Sequence, residues 1–207
     1  MEMIIKQFVN SVYNSNTFLI HDDRVAVIVD LGDWTPVKEY LKSNKLEPLA
    51  LLLTHTHYDH FYGLESFLSD YPDKPVYTSL LGKESLKNPK WNFSKYHENP
   101  LAIDSNQIKI LEDGEKLSFP AFLIDGKPLE IEAIATPGHD HSCLTYKLAD
   151  KLFTGDSYIP DVKVVDNFPK SDKAFAKEWY DRLHSLSATH DIYPGHNDIK
   201  PAHQNPG

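Results

Sequence analysis

Four side chains able to ligate a metal fall within six positions in His55-Thr56-His57-Tyr58-Asp59-His60. Imidazole and carboxylate at that density suit a divalent transition metal. Alternate residues of an extended segment point the same way, so His55 and His57 can share one ion. Asp59 and His60, where the chain turns into a helix, can face a second. Three later places repeat the chemistry: Thr136-Pro137-Gly138-His139, Thr154-Gly155-Asp156-Ser157 and Pro194-Gly195-His196. Each sets one ligand beside a glycine at the end of an expected strand, the layout of several loops converging on one edge. A lone His-x-His pair usually packs a core or a surface. With Asp59, His60 and the three later residues added, a metal centre is the better reading.

Strands must deliver these loops. Ile4–Val9, Thr17–Ile20 and Val25–Val29 are β-rich, and the apolar run Leu49–Leu53 leads directly into Thr54-His55. A strand apolar on both faces needs a layer on each side, which favours a sandwich covered by helices. A helix is expected from Thr35 to Asn44, with Thr35 as N-cap and Pro36 in the first turn. Gly63–Ser69 and Lys83–Lys87 read as further helices, and Pro75–Thr78 as a short strand. Residues 88–106 form a polar, irregular stretch. Gln107–Ile110, Lys116–Phe119, Ala121–Ile124, Leu129–Ala135, Leu144–Leu148, Lys151–Thr154 and Ile192–Tyr193 are the later strands. The last helix, Asp172 to Leu186 after a Ser171 N-cap, sets Phe175, Trp179, Leu183 and Leu186 on one face.

Taken in order, Val27-Ile28-Val29-Asp30-Leu31-Gly32, the His-x-His-x-Asp-His motif at 55–60, Thr-Pro-Gly-His at 136–139, Gly-Asp at 155–156 and Gly-His at 195–196 resemble the metallo-β-lactamase-fold superfamily. Within it the sequence is most similar to the glyoxalase II-like (hydroxyacylglutathione hydrolase-like) metallo-hydrolases, from about Thr17 to Asp198. The resemblance implies an α+β fold, a four-layer αββα sandwich forming a single domain over residues 1–207, with the site at one edge of the two sheets. It implies that His55, His57 and His139 bind one ion, that Asp59, His60 and His196 bind a second, and that Asp156 bridges them. Asp59 and Asp156 are the expected catalytic carboxylates, and Asp30 matches a position that supports a ligand from behind. The implied cofactors are two divalent ions, zinc first and iron or manganese as alternatives. The implied mechanism is attack of a metal-bridging hydroxide on the acyl carbon of a small thioester or ester.

Other residues narrow the substrate. Asp156 stands where thiolate-type zinc β-lactamases carry cysteine, which points away from β-lactams. Asn92-Phe93-Ser94 resembles an Asn-Leu-Ser motif common in glyoxalase II-like sequences. The family often shows Gly-Arg after the bridging Asp; here Ile159–Val164 stands instead. The sequence also shows no C-terminal helical extension of the kind that helps hold glutathione in full-length glyoxalase II enzymes, a departure that leaves acceptance of a glutathione thioester open. Lys163 either meets an anionic group of the substrate or is a solvated loop lysine. The segment from Pro89 to Ile103 is expected to border the pocket, with Trp91 and Tyr96 as candidate substrate contacts beside Phe93 and His97. His141 reads as turn packing and Cys143 as a small core residue. His21, His97, His184, His190 and His203 carry no motif.

The chain has 207 residues, 41% hydrophobic and 25% charged, ordinary globular composition for one domain. The formal net charge of −9 argues against a nucleic-acid partner. No run approaches the roughly 18 apolar residues of a membrane helix. The opening residues from Met1-Glu2 onward show no signal-peptide pattern, and one cysteine forms no internal disulfide, so the cytoplasm is the expected location and a small molecule the expected partner. Nothing in the sequence specifies an oligomeric state. The competing function is an iron-dependent persulfide dioxygenase-like oxidoreductase on the same scaffold. An electron-transfer module like the diiron domain of flavodiiron proteins fits less well, since those carry Glu at the His57 position and a fused flavodoxin domain.

Overall fold

The computed structural model describes residues 3–202; Met1, Glu2 and His203 lie outside the described residues. Eleven strands form two sheets. The first runs β1 (Ile4–Val9), β2 (Asn16–His21), β3 (Val25–Val29), β4 (Glu47–Leu52), β5 (Val76–Thr78) and β6 (Ile108–Ile110) in that spatial order. Its first three strands are antiparallel neighbours and its last four run parallel. The second sheet runs β11 (Asp191–Pro194), β10 (Lys151–Gly155), β9 (Leu144–Leu148), β8 (Lys127–Ala135) and β7 (Lys116–Ile124). Only β10 and β11 are parallel in it.

Side-chain alternation explains the layers. In β2, β3 and β4, Phe18, Ile20, Val27, Val29, Ala50 and Leu52 face the second sheet and pack on Phe122, Ile131, Tyr146 and Phe153. Their neighbours Leu19, Ala26, Ile28 and Leu51 face outward onto α1 (Trp34–Ser43) and α2 (Leu64–Asp70), meeting Val37, Leu41, Leu64 and Phe67. On the far side, α4 (Lys173–Leu186) covers Leu152, Tyr158 and Ile192 with Leu183. Helices, sheet, sheet and helix make the expected αββα sandwich. Burying both faces of three central strands at about 25 cal/mol per Å² of apolar area is the main stabilising term.

Several boundaries differ from the sequence expectation. α1 starts at Trp34, after Asp33 rather than Thr35. The Asp33 carboxylate is committed to Ser11 and Tyr62, while the Trp34 indole donates to Asp70 and so draws the first turn in. α3 (Leu80–Leu86) starts earlier than Lys83, because the Ser79 hydroxyl caps it by accepting from Gly82 N at 3.0 Å. The two arms expected at 116–119 and 121–124 are one strand, bulged between Phe119 and Leu123 where Pro120 cannot donate. In α4 the cap is Asp172, not Ser171, and Phe175 is 49% exposed instead of sharing the buried face with Leu183. No helix among the described residues is long and apolar enough to cross a membrane.

Candidate metal centre

The ligand-bearing loops lie at one end of both sheets. β3 ends at Asp30, which takes a left-handed backbone (φ 54°). Its carboxylate accepts from Thr54 N and Thr54 Oγ1, both at 2.7 Å, fixing the loop after β4. From there Thr54 leads into His55 and His57, and a 3-10 turn over Tyr58–His60 presents Asp59 and His60. His139 follows β8, Asp156 follows β10 and His196 follows β11. Two glycines allow the close approach. Gly155 has φ 50°, and a Cβ there would collide with the Thr54 hydroxyl. A Cβ on Gly195 would collide with Asp156 Oδ1.

The structure brings all seven expected ligands together. Donor atoms of His55, His57 and His139 form one group able to hold an ion, and those of Asp59, His60 and His196 another, each lying within 4.8 Å of one another. His57 Nδ1 and His139 Nε2 are 2.9 Å apart. Asp156 lies between the groups: its Oδ2 is 3.5 Å from His139 Nε2 and 3.5 Å from His196 Nε2, and its Oδ1 is 3.5 Å from His60 Nε2. Donor atoms of a third combination, Asp30 with His55 and His60, also lie within 4.8 Å of one another. The Asp30 carboxylate is already bonded to Thr54, however, which makes it a support rather than a free donor.

Each histidine is held from behind. Thr54 Oγ1 lies 3.1 Å from His55 Nδ1, and because that hydroxyl donates to Asp30 it accepts from the ring. His60 Nδ1 meets Asp30 Oδ2 at 3.0 Å. His139 Nδ1 donates to the Val165 carbonyl at 2.8 Å, and His196 Nδ1 to the Tyr13 carbonyl at 3.1 Å. His57 points its Nε2 at Asp140 Oδ2, 3.5 Å away. Such outer contacts fix each ring's orientation and aim its other nitrogen inward. The consequence is visible in the polar atoms left over: His55 Nε2, His60 Nε2 and Asp156 Oδ1 are buried, face the centre and have no hydrogen-bond partner. Orphaned buried acceptors carry a large desolvation cost unless something satisfies them. A pair of divalent cations fits this donor set.

Electrostatics divide the centre in two. Burial, reinforced by the neighbouring histidines, pushes His55 well below the ordinary imidazole range, and burial lowers His139 to about 4 despite Asp156. These rings are neutral, as ligands must be. In the second group burial opposes charge, but carboxylates outweigh it. Asp59 and Asp156 raise His60 well above its ordinary value, and the same two raise His196 to about 9. Burial likewise opposes ionisation of Asp59 and Asp156, yet His60 and His196 hold both carboxyls below the usual range. Asp140, bonded toward His57 and Ser142, falls to about 2 against its burial.

A cleft of about 590 Å³ opens over the ligands, lined in part by Tyr13, Tyr58, Phe93, Tyr96, His97 and Phe168. The Pro89–Ile103 segment thus contributes Phe93, Tyr96 and His97 to the cleft. Asn92 anchors it by donating to the Leu86 and Leu101 carbonyls and accepting from Ser94 N. Trp91 does not line the cleft; it lies under Lys170 Nζ at 4.1 Å. Lys163 lines a separate cavity beside Tyr180. His141 packs on Ser85, and Cys143 is buried. Four contributors escaped the sequence reading: Asp140, Tyr13, Phe168 and Ser171, which donates to the His139 carbonyl. Of these only Asp140, adjacent to His139, had a positional signal.

Comparison with known proteins places this geometry in context. A family profile described as the metallo-beta-lactamase superfamily matches residues 10–196. A hydroxyacylglutathione hydrolase of Nitrosomonas europaea is 31% identical over 140 residues, covering 68% of this chain and 44% of that protein. The chain therefore spans under half the length of that relative. A protein of Streptococcus pyogenes serotype M6 named a probable metallo-hydrolase is 26% identical over 94% of this chain and 84% of its own length. Among solved structures, the BLEG-1 B3 metallo-beta-lactamase superposes with a TM-score of 0.80 at 23% identity, covering 95% of this chain and 93% of that one. A protein crystallised in a di-iron-bound form gives 0.77 at 21% identity, covering 97% and 98%.

Proposed function

The chain belongs to the metallo-beta-lactamase superfamily, and on that premise we propose that it is a dinuclear metal-dependent hydrolase cleaving a small thioester or ester. The observation that carries this reading is the Asp156 carboxylate, whose Oδ2 lies 3.5 Å from a histidine of each ligand group. His55, His57 and His139 would hold one ion, Asp59, His60 and His196 the other, and Asp156 would join them. Two ions there would polarise an acyl oxygen and bring the pKa of a bound water to about 7.

The protein's own residues prepare that chemistry. Asp30, Thr54, Asp140 and the carbonyls of Val165 and Tyr13 orient the five rings before anything binds, so little reorganisation remains. Asp59 and Asp156 supply the negative charge that reduces repulsion between two cations. In the reaction the water oxygen bonds to the acyl carbon, the C–S or C–O bond breaks, and the leaving thiol or alcohol departs with a proton from the water. Similarity to proteins named hydroxyacylglutathione hydrolase supports transfer of an acyl group to water. Zinc is the expected ion, although iron and manganese suit the same donors. A cytoplasmic setting accords with a single, buried cysteine.

The second reading, an iron-dependent persulfide dioxygenase, is favoured by one feature: the donor set holds histidine and carboxylate but no thiolate. One experiment tests both. Protein loaded separately with zinc, iron and manganese is screened against thioesters, lactones, phosphodiesters and β-lactams, with oxygen uptake on glutathione persulfide run alongside. Ester or thioester hydrolysis is expected. Oxygen uptake without hydrolysis would replace the first reading with the second.

A further inference from the structure

The cleft over the centre has a chemical character of its own. Its walls are Tyr13, Tyr58, Phe93, Tyr96, Phe168 and Pro169, and no lysine or arginine is among its lining residues. Of the nearby lysines, Lys170 is drawn away over Trp91 at 4.1 Å, and Lys95 reaches no closer than the ring of the wall residue Tyr96, at 4.5 Å. The whole chain carries a formal charge of −9. Among the described residues a substrate with carboxylates remote from the scissile bond would find no arginine or lysine lining the cleft, the side chains that recognition of carboxylate normally draws on.

Phe93 gives the apolar wall its position. Its backbone is left-handed (φ 61°, ψ 0°), a conformation that a bulky residue adopts only when its surroundings hold it there. They do. Asn92 and Ser94, both buried, tie the flanking backbone to Leu86 and Leu101 through their side chains. The held ring lies 4.7 Å from the His57 ring and 5.0 Å from Phe168, which in turn stands 5.6 Å from His139. An apolar surface is thus fixed directly beside the first ligand group.

We propose that this cleft selects an uncharged substrate with an apolar, preferably aromatic, body that rests on the Phe93–Phe168 pair, and that it disfavours anionic conjugates such as glutathione thioesters. The inference deepens the hydrolase reading and rests on it only for the identity of the bond cleaved. Binding can therefore be tested without turnover. Metal-loaded protein is titrated calorimetrically with two non-hydrolysable thioethers, uncharged S-benzyl-N-acetylcysteamine and anionic S-benzylglutathione. The uncharged ligand is expected to bind at least ten-fold more tightly. Phe93→Ala and Phe168→Ala should each weaken it about ten-fold, with metal content and Tm unchanged. Equal or tighter binding of S-benzylglutathione overturns the proposal, and so does undiminished affinity in both variants. The matching benzoyl thioesters are then assayed for hydrolysis. Selective binding without hydrolysis of any ester or thioester would uphold the cleft assignment and refute the hydrolase reading. Hydrolysis with kcat/KM equal or higher for the glutathione thioester would do the reverse.

Discussion

Asp30 and His60, thirty residues apart, meet at 3.0 Å through Asp30 Oδ2 and His60 Nδ1, and the same carboxylate holds both Thr54 donors. One strand-end residue thereby orients a ligand and anchors the loop that carries the others. Asn can keep the left-handed backbone of position 30 but offers one oxygen for three donors. Asp30→Asn is expected to fold and to lose roughly 10- to 100-fold in metal affinity. Titration against a chelator of known affinity measures it; wild-type affinity would remove Asp30 from the support of the centre.

Elemental analysis of gently purified protein should approach two ions per chain. Asp156→Ala should retain at most one and lose about 100-fold or more in activity, since a ligand matters at least as much as the groups behind it. Retention of two ions at full rate would contradict the bridging role.

Metal loading must displace protons from His60 and His196, which are held protonated by Asp59 and Asp156. At pH 7 about two protons should be released, seen as a dependence of calorimetric heat on the buffer's ionisation enthalpy. The metal-free protein has its own signature. His196, raised to about 9 from an ordinary 6.5, contributes stability that is full below 6.5 and lost as pH rises through 9. His139, lowered to about 4, contributes stability that is full above 6.5 and lost as pH falls through 4. Thermal unfolding of the metal-free form should therefore be most resistant near pH 6.5. Stability rising steadily to pH 9 would show that these pairs do not form.

Tyr96 and Trp91 should part company. Tyr96 lines the cleft and is 69% exposed, whereas Trp91 is outside it. Tyr96→Ala is expected to raise KM several-fold with Tm and metal content unchanged, a loss of binding rather than chemistry. Trp91→Ala should leave kinetics alone and lower Tm. Matching KM changes in both would mean that the segment moves as one wall.

Cys143 is buried, and burial pushes its thiol well above the ordinary range. It should resist an aromatic disulfide reagent at pH 8 in the folded protein and react with one equivalent once unfolded. Prompt reaction in the native state would show that the turn after His139 opens.

The convergence of the seven candidate residues was legible because its signals are local: a dense His/Asp cluster after β4, and His139, Asp156 and His196 each beside a glycine at a strand end. The sandwich was legible for a similar reason, since Leu49–Leu53 demands cover on both faces. What could not be read depends on distant partners. Ser171 has the look of a helix cap, but the His139 carbonyl claims its hydroxyl, and Asp172 caps instead. Phe168 sits in a stretch with no periodicity and is held at the centre by Val165, whose carbonyl accepts from His139, and by Ser171, which bonds both Phe168 and His139. Trp91 and Tyr96 differ by five positions, and the turn between them decides which one meets the cleft.

His55, His57, Asp59 and His60 come from the first sheet's edge, and His139, Asp156 and His196 from the second's. An ion held by both sets would add a cross-link between halves already joined by side-chain packing and by the backbone bonds Leu144 N to Thr54 O and Asn16 N to Gly195 O. His196, delivered by β11 where it pairs beside β10, is the last of the seven residues along the chain. A metal-loaded chain should therefore release its ions slowly only when both sheets are docked, and chelation should hasten its unfolding by removing the link between them.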